Sequence, residues 1–216
     1  MTTPADEFDA DSRLPQALFD AIAQRGQSRS FPMNAILINE GDSTDSLYIV
    51  LSGRVKAYAS SEDGREVVLT EYGPGEYFGE LSLDGARRSA SVKALEPCTC
   101  RVVQGSELQA FLAEYPAFAM HLTHKLMRMV RRLTEQVRGL ALQDVYSRVI
   151  RLLNELSDPV GEERVVRRKL TQQDIADRVG SSREMVNRVM RELDTGGYVT
   201  QREGRLVLLR KPPSGW

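Results

Sequence analysis

This chain of 216 residues contains only two cysteines and two histidines, and each scarcity excludes something. Cys98 and Cys100 stand in CTCRVV, where alternate residues of a strand share a face. They are too close and too parallel for a disulfide and read as small buried apolar residues. An iron–sulfur centre needs about four ligands of the cysteine type, which this chain cannot supply alone. His121 and His124 are spaced three apart on a helical stretch, with no metal-ligand cluster and no placed nucleophile beside them. They read as ordinary surface or dimer-face residues, and neither a metal site nor an enzyme is expected. No apolar run approaches the roughly 20 residues of a membrane span, and the acidic, polar start has no stretch fit for a signal peptide. A cytoplasmic protein is expected.

Proline is absent from the interior of residues 116–143, PAFAMHLTHKLMRMVRRLTEQVRGLALQ, and this stretch organises the chain. It predicts one long helix. Ala119, Leu126, Leu133 and Leu140 recur every seven positions, with Leu122 and Met129 at the second seam position, the repeat of helices paired in a coiled coil. Arg128, Arg131, Arg132 and Arg138 confine the apolar surface to a narrow stripe. A homodimer through this helix is the expectation, with a hinge near residues 140–144.

The near-neutral total charge of −1 hides an asymmetry. Residues 1–115 carry 10 Lys and Arg against 18 Asp and Glu, whereas residues 160–216 carry 12 against 8. A basic C-terminal end on an otherwise acidic chain suggests a polyanion partner for that end alone.

After an acidic lead-in expected to be mobile, residues 15–24 have helical spacing. Short alternating runs then predict strands at 35–38, 46–51, 55–59, 66–72, 89–94 and 99–103, divided by glycines where turns need positive φ. Such spacing argues for a β jelly roll or small barrel and against a doubly wound sheet. Between the last strands lies GPGEYFGELSLDGARRSASVKA, residues 73–94. Its glycines lack the Rossmann spacing, and no βαβ unit surrounds them. What it offers is a set suited to a sugar phosphate: a guanidinium at Arg88 able to take phosphate oxygens bidentately, a hydroxyl at Ser89, glycine-permitted backbone amides, and the Glu80 carboxylate for a ribose hydroxyl.

YIVLSGRVKAY and FGELSLDGARRSASV resemble the phosphate-binding cassette of the cyclic-nucleotide-binding domain. The resemblance implies that Glu80 holds a ribose 2′-hydroxyl and that Arg88 and Ser89 hold a cyclic phosphate, with Gly79 and Leu81 completing the ligand set. Arg87 has no assigned role in that pattern and is expected to be exposed.

Beyond the long helix, Asp144 suits an N-cap for a helix at 145–156, and residues 157–161, SDPVG, read as a turn. In LTQQDIADRVGSSREMVNRVMREL, Thr171 caps a helix with Asp174 at its third position, Gly180 ends it, and Ser182 caps a second helix at 183–193. This is a helix-turn-helix, and the strands at 198–201 and 206–210 around Glu203-Gly204 form a wing. Ser182, Arg183, Glu184, Asn187, Arg188 and Arg191 fall on the outer face of the second helix, the residue types that read base edges.

Over nearly its whole length the chain is similar to the catabolite activator (CRP/FNR) family of bacterial transcription regulators. The resemblance implies an α+β architecture: an N-terminal β jelly roll of the cyclic-nucleotide-binding type at 1–115, a long dimerisation helix at 116–143, and a C-terminal winged helix-turn-helix at 144–216. It implies base reading by Arg183, Glu184 and Arg188, with Asn187 on the same DNA-facing surface, and phosphate contacts from Thr171, Gln173 and Ser182. Nothing matches the family's haem-binding branch, and two cysteines are too few for its four-cysteine oxygen-sensing branch. The implied protein binds a palindromic operator in double-stranded DNA as a homodimer and meets RNA polymerase. It requires no cofactor, and its effector is cyclic AMP or another cyclic nucleotide. In cyclic-AMP-responsive members a Thr-Ser pair on the long helix meets the adenine; aligning on LA..D puts Leu133 and Thr134 there, so one hydroxyl is missing and base choice is expected to be weakened or redirected. The alternatives are a constitutive DNA-binding regulator with a vestigial sensor and one responding to cyclic di-GMP.

Overall fold

The computed structural model describes residues 13–213, so the first twelve residues of the lead-in lie outside the described residues. The chain divides into two compact units, and the division falls inside the long helix, after Arg131. The second unit also takes in residues 60–67.

In the first unit, helix α1 (Gln16–Ala23) precedes eight strands: β1 (Gln27–Phe31), β2 (Ile36–Ile38), β3 (Leu47–Ser52), β4 (Val55–Ser60), β5 (Glu66–Tyr72), β6 (Tyr77–Phe78), β7 (Ser91–Ala94) and β8 (Cys98–Val103). They form two four-stranded sheets, ordered β1-β8-β3-β6 and β2-β7-β4-β5. The period-2 alternation explains the layers. Leu47 and Ile49 of β3 join Leu18, Ile22, Leu108 and Phe111 in a core under the helices, while Val50 joins Val55, Phe78, Val92, Cys98 and Cys100 in a second core. Both cysteines are buried thiols, and burial pushes both of them up from the ordinary value.

Strands β1 and β6 escape the sequence reading for physical reasons. β1, QSRSF, lies at a sheet edge with four of its five residues exposed, so it shows no alternation and is held by pairing to β8. β6 has only two residues, both buried. The strand expected from residue 89 begins at Ser91, which leaves Ser89 in the preceding loop.

Helix α2 (Gly105–Glu114) leads into α3 (Pro116–Leu142), close to the extent its composition predicts. Its surface differs from the expected seam. Ala119, Leu122, Leu126 and Met129 are half-buried within the chain, whereas Met120, Met127, Val130 and Val137 are exposed, as are Leu133 and Leu140. The helix has two apolar stripes, and the one read from sequence is partly spent on its own unit.

Helix α4 (Val145–Glu155) starts at Asp144, whose carboxylate accepts from the Ser147 backbone N–H at 2.7 Å. The expected turn at 157–161 is instead a hairpin, β9 (Ser157–Val160) with β10 (Glu163–Val166). Pro159 misleads here, because β9 is an edge strand and an edge tolerates proline. Helices α5 (Gln172–Val179) and α6 (Arg183–Thr195) follow, then β11 (Val199–Arg202) and β12 (Arg205–Leu208), in a sheet ordered β11-β12-β10-β9. Glu203 and Gly204, both at positive φ between the paired Arg202 and Arg205, make the two-residue turn whose twist suits a hairpin. The core of this unit is Val149, Leu153, Ile175, Ala176, Val186, Val189 and Leu193 with strand residues around them.

Candidate functional site

The cassette residues converge in the first unit. Gly79 sits at φ 91°, and a Cβ there would meet the Ser46 carbonyl oxygen at 2.8 Å and Arg88 Nη1 at 2.9 Å. Only glycine allows both the left-handed backbone and the approach of the guanidinium. A 3₁₀ turn, Glu80–Asp84, follows and points Glu80 and Ser82 inward while Leu81 stays exposed.

Arg88 is 5% exposed and tightly held. Its Nε donates to Thr44 Oγ1 at 2.9 Å, Nη1 to the Gly79 carbonyl oxygen at 2.8 Å and Ser82 Oγ at 2.9 Å, and Nη2 to the Ser46 carbonyl oxygen at 2.7 Å. Burial pushes the guanidinium below its ordinary pKa, and Tyr48, Asp45, Asp42 and Glu80 oppose the shift. Because a guanidinium has five N–H donors, these four bonds leave one for a ligand. The bidentate phosphate grip expected of Arg88 therefore requires the release of a protein partner. Ser89 is exposed beside it, and Arg87 is exposed as expected, its Nη1 donating to the Gly41 carbonyl oxygen at 3.0 Å.

Glu80 is equally buried. Its Oε1 lies 3.0 Å from Lys125 Nζ, an ion-pair distance outside hydrogen-bond alignment, and Oε2 has no hydrogen-bond partner among the described residues. Gly79, Glu80, Leu81, Arg88 and Ser89 line one cavity of about 60 Å³ together with Ala57, Tyr72, Phe78 and Met129. Its charged groups are confined to the loop, and its remaining walls are apolar apart from Tyr72. Leu133 and Thr134, expected at the base, are not among its lining residues; both are exposed on α3 beyond Met129.

Sequence reasoning missed Lys125. The available signal was a lysine flanked at helical spacing by Leu122, Leu126 and Met129, a charge within an inward stripe. It also misplaced His121, which is half-buried. Its Nε2 lies 3.0 Å from the Arg13 carbonyl oxygen, which can only accept, so Nε2 carries the proton and Nδ1 accepts from the Tyr77 hydroxyl at 3.1 Å. Burial pushes the imidazole below its ordinary value. His124 is exposed.

In the second unit the two helix starts are fixed by their caps. Thr171 Oγ1 accepts from the Asp174 backbone N–H at 3.0 Å, and the Asp174 carboxylate accepts from the Thr171 N–H at 2.9 Å. Gly180, at φ 62°, ends α5, and Ser182 Oγ accepts from the Met185 N–H at 3.2 Å to open α6. A three-residue turn joins them. Ser182, Arg183, Glu184, Arg188 and Arg191 are exposed on α6, opposite buried Val186, Val189 and Leu193. Hydrogen bonds from its own backbone N–H and the Ser182 hydroxyl hold the Glu184 carboxyl below the usual range. Asn187 differs from the rest: half-buried, it accepts from Gln172 Nε2 at 3.0 Å and braces α6 against α5. Gln173 is exposed, with its amide on Asp177 Oδ1 at 2.7 Å. Lys169, Arg202 and Arg205 are exposed near the wing turn, Arg202 paired to Glu163 at 2.6 Å. Among the described residues no helix is long and apolar enough to cross a membrane, and no group of histidine, cysteine or acidic residues could hold a metal ion.

Comparison with known proteins agrees with this geometry. A family model described as the cyclic nucleotide-binding domain matches residues 28–115, and one described as the Crp-like helix-turn-helix domain matches residues 147–213. A CRP-like cAMP-activated global transcriptional regulator of Mycobacterium tuberculosis is 33% identical over 194 residues, 88% of this chain and 86% of that protein. The cAMP-activated global transcriptional regulator CRP of Pasteurella multocida is 32% identical over 169 residues, 76% of this chain and 81% of that one. Among solved structures, the c-di-GMP responsive global regulator CLP of Xanthomonas campestris superposes with a TM-score of 0.82 at 26% identity, covering 91% of this chain and all of that one. With a jelly roll carrying the cassette, a long helix and a capped helix-turn-helix in one chain, the protein belongs to the CRP family of transcriptional regulators.

Proposed function

We propose that the protein is a homodimeric regulator whose affinity for a palindromic operator is gated by a cyclic nucleotide seated between Glu80 and Arg88. The observation that carries this reading is the pairing, in one cavity, of a buried carboxylate oxygen without a partner and a buried guanidinium with one N–H to spare. A ribose hydroxyl donates to the first, and a cyclic phosphate accepts from the second and from Ser89. About 60 Å³ is room for a few waters, whereas small-molecule sites run to roughly 300 Å³ or more, so a nucleotide has to extend through the cavity's open side or displace its walls. One of those walls is Met129 of α3. Ligand binding is thereby tied to the helix whose exposed stripe would pair with a second copy, and a ligand that favours one arrangement of the pair shifts its DNA affinity.

The sibling reading, cyclic di-GMP, draws support from the Xanthomonas regulator and from Leu133 at the place where a hydroxyl was expected. Calorimetry with cyclic AMP, cyclic GMP and cyclic di-GMP decides among them, and DNA affinity indifferent to all three would establish the constitutive alternative. A cytoplasmic regulator of this kind would meet RNA polymerase at its promoters.

The reader is assigned to the exposed residues of α6, with Arg183, Glu184 and Arg188 on base edges, and with Thr171, Gln173 and Ser182 on phosphates. Asn187 acts here as a brace for that surface. Arg183→Ala is expected to cost about 1–3 kcal/mol at one base pair of each half-site, while Thr171→Ala weakens all sequences alike. Binding-site selection on the Arg183 variant reads the difference, and an unchanged preference would refute the assignment.

A further inference from the structure

Lys125 is 6% exposed, one of the most buried cations among the described residues. Its ammonium lies 3.8 Å from the centre of the Tyr77 ring and 5.1 Å from that of Tyr72, and it donates to the Tyr77 carbonyl oxygen. Its ion-pair partner is Glu80 Oε1, at 3.0 Å. A lysine desolvated to this degree is costly unless paired, and its pairing here fixes one oxygen of the carboxylate while the other is left without a partner in the cavity wall.

We infer that Lys125 is a positioning residue for the ligand: by holding Oε1, it aims Oε2 at the ribose 2′-hydroxyl. This inference rests on the cyclic-nucleotide reading above and deepens it. The Lys125 ammonium also offsets the Glu80 carboxylate, so that a cyclic phosphate at Arg88 does not face an unpaired carboxylate beside it. Because Lys125 belongs to α3 and Glu80 to the loop after β6, the hydroxyl contact is formed across two elements. Recognition of the sugar thus depends on where the helix stands.

The test compares ribose and 2′-deoxyribose ligands in full-length protein. Wild type is titrated calorimetrically with cyclic AMP and cyclic GMP and with the 2′-deoxy form of each. A hydrogen bond to a charged acceptor predicts that the deoxy form binds about 10–100-fold more weakly. In Lys125→Met the ribose ligand is expected to lose that advantage, the ratio falling to within about threefold, while Lys125→Arg retains most of it. Should the methionine variant not fold, Lys125→Gln keeps a donor for the Tyr77 carbonyl oxygen, withdraws the charge from Glu80, and carries the same expectation. A structural role alone would weaken both ligands equally, and an undiminished ratio in the folded variant overturns the assignment. So does a wild type that ignores the 2′-hydroxyl. Wild type that binds none of the four overturns the cyclic-mononucleotide reading itself, and this inference with it.

Discussion

Val130→Asp combined with Val137→Asp is expected to yield a monomer and to lower operator affinity by about 10²–10⁴-fold, the loss of engaging two half-sites at once. One set of exposed positions on α3 forms a regular pattern: Met120, Thr123, Met127, Val130, Thr134, Val137 and Ala141 alternate at spacings of three and four, the seam of a two-helix coiled coil. Val130 and Val137 occupy the same heptad position and are 62% and 65% exposed. In a dimer they would be buried, and a carboxylate there would meet its own copy across the axis. In the single chain they cost little, so the double variant keeps its fold while losing its partner. Sedimentation velocity checks the mass and fluorescence anisotropy the affinity; a dimer with unchanged operator binding would remove this seam. The pair at Leu126 and Leu133 makes a poorer test, because Leu126 is half-buried in its own unit and aspartate there would damage the fold as well.

Arg88→Met is expected to abolish nucleotide binding, with an affinity loss of 100-fold or more as a rough figure, and to destabilise the first unit by about 3–5 kcal/mol. Both effects come from one group. The substitution strips donors from the Gly79 and Ser46 carbonyl oxygens and from Thr44 and Ser82, and it removes the fixed positive charge that faces the ligand. Arg88→Lys should rescue neither fully, since an ammonium has three donors without the planar fork that reaches all four acceptors. Urea unfolding and calorimetry on the same samples separate the two losses. Binding retained in Arg88→Met would show that the phosphate sits elsewhere.

Much of this molecule is legible because its sequence marks element ends locally. Thr171, Asp174, Gly180 and Ser182 place the first helix and the start of the second to the residue, while the second runs on to Thr195, and the glycine and the carboxylate of FGEL mark the loop. What stays hidden is decided by partners distant in sequence. β1 has no pattern of its own and exists through β8; Pro159 reads as a turn until β10 covers one side of it. The helix stripe was harder still. Two apolar faces on α3 carry similar repeats, and which one its own unit consumes depends on packing that no heptad count contains. Lys125 shows the same limit, since the carboxylate that lets it be buried, Glu80, lies far from it in sequence.

The close approach at Gly79 constrains how this chain diverges. A single added methyl group would collide with the Ser46 carbonyl oxygen and with the arginine at once, so a side chain at this position would mark a loop rebuilt away from this seat. A descendant that no longer senses a ligand is released from keeping Arg88 inward, yet a side chain there still requires the loop to leave its left-handed backbone and to move off the Ser46 carbonyl oxygen. Genome surveys of related chains could pick out copies with a rebuilt, silent seat by a side chain at this position before any protein is made.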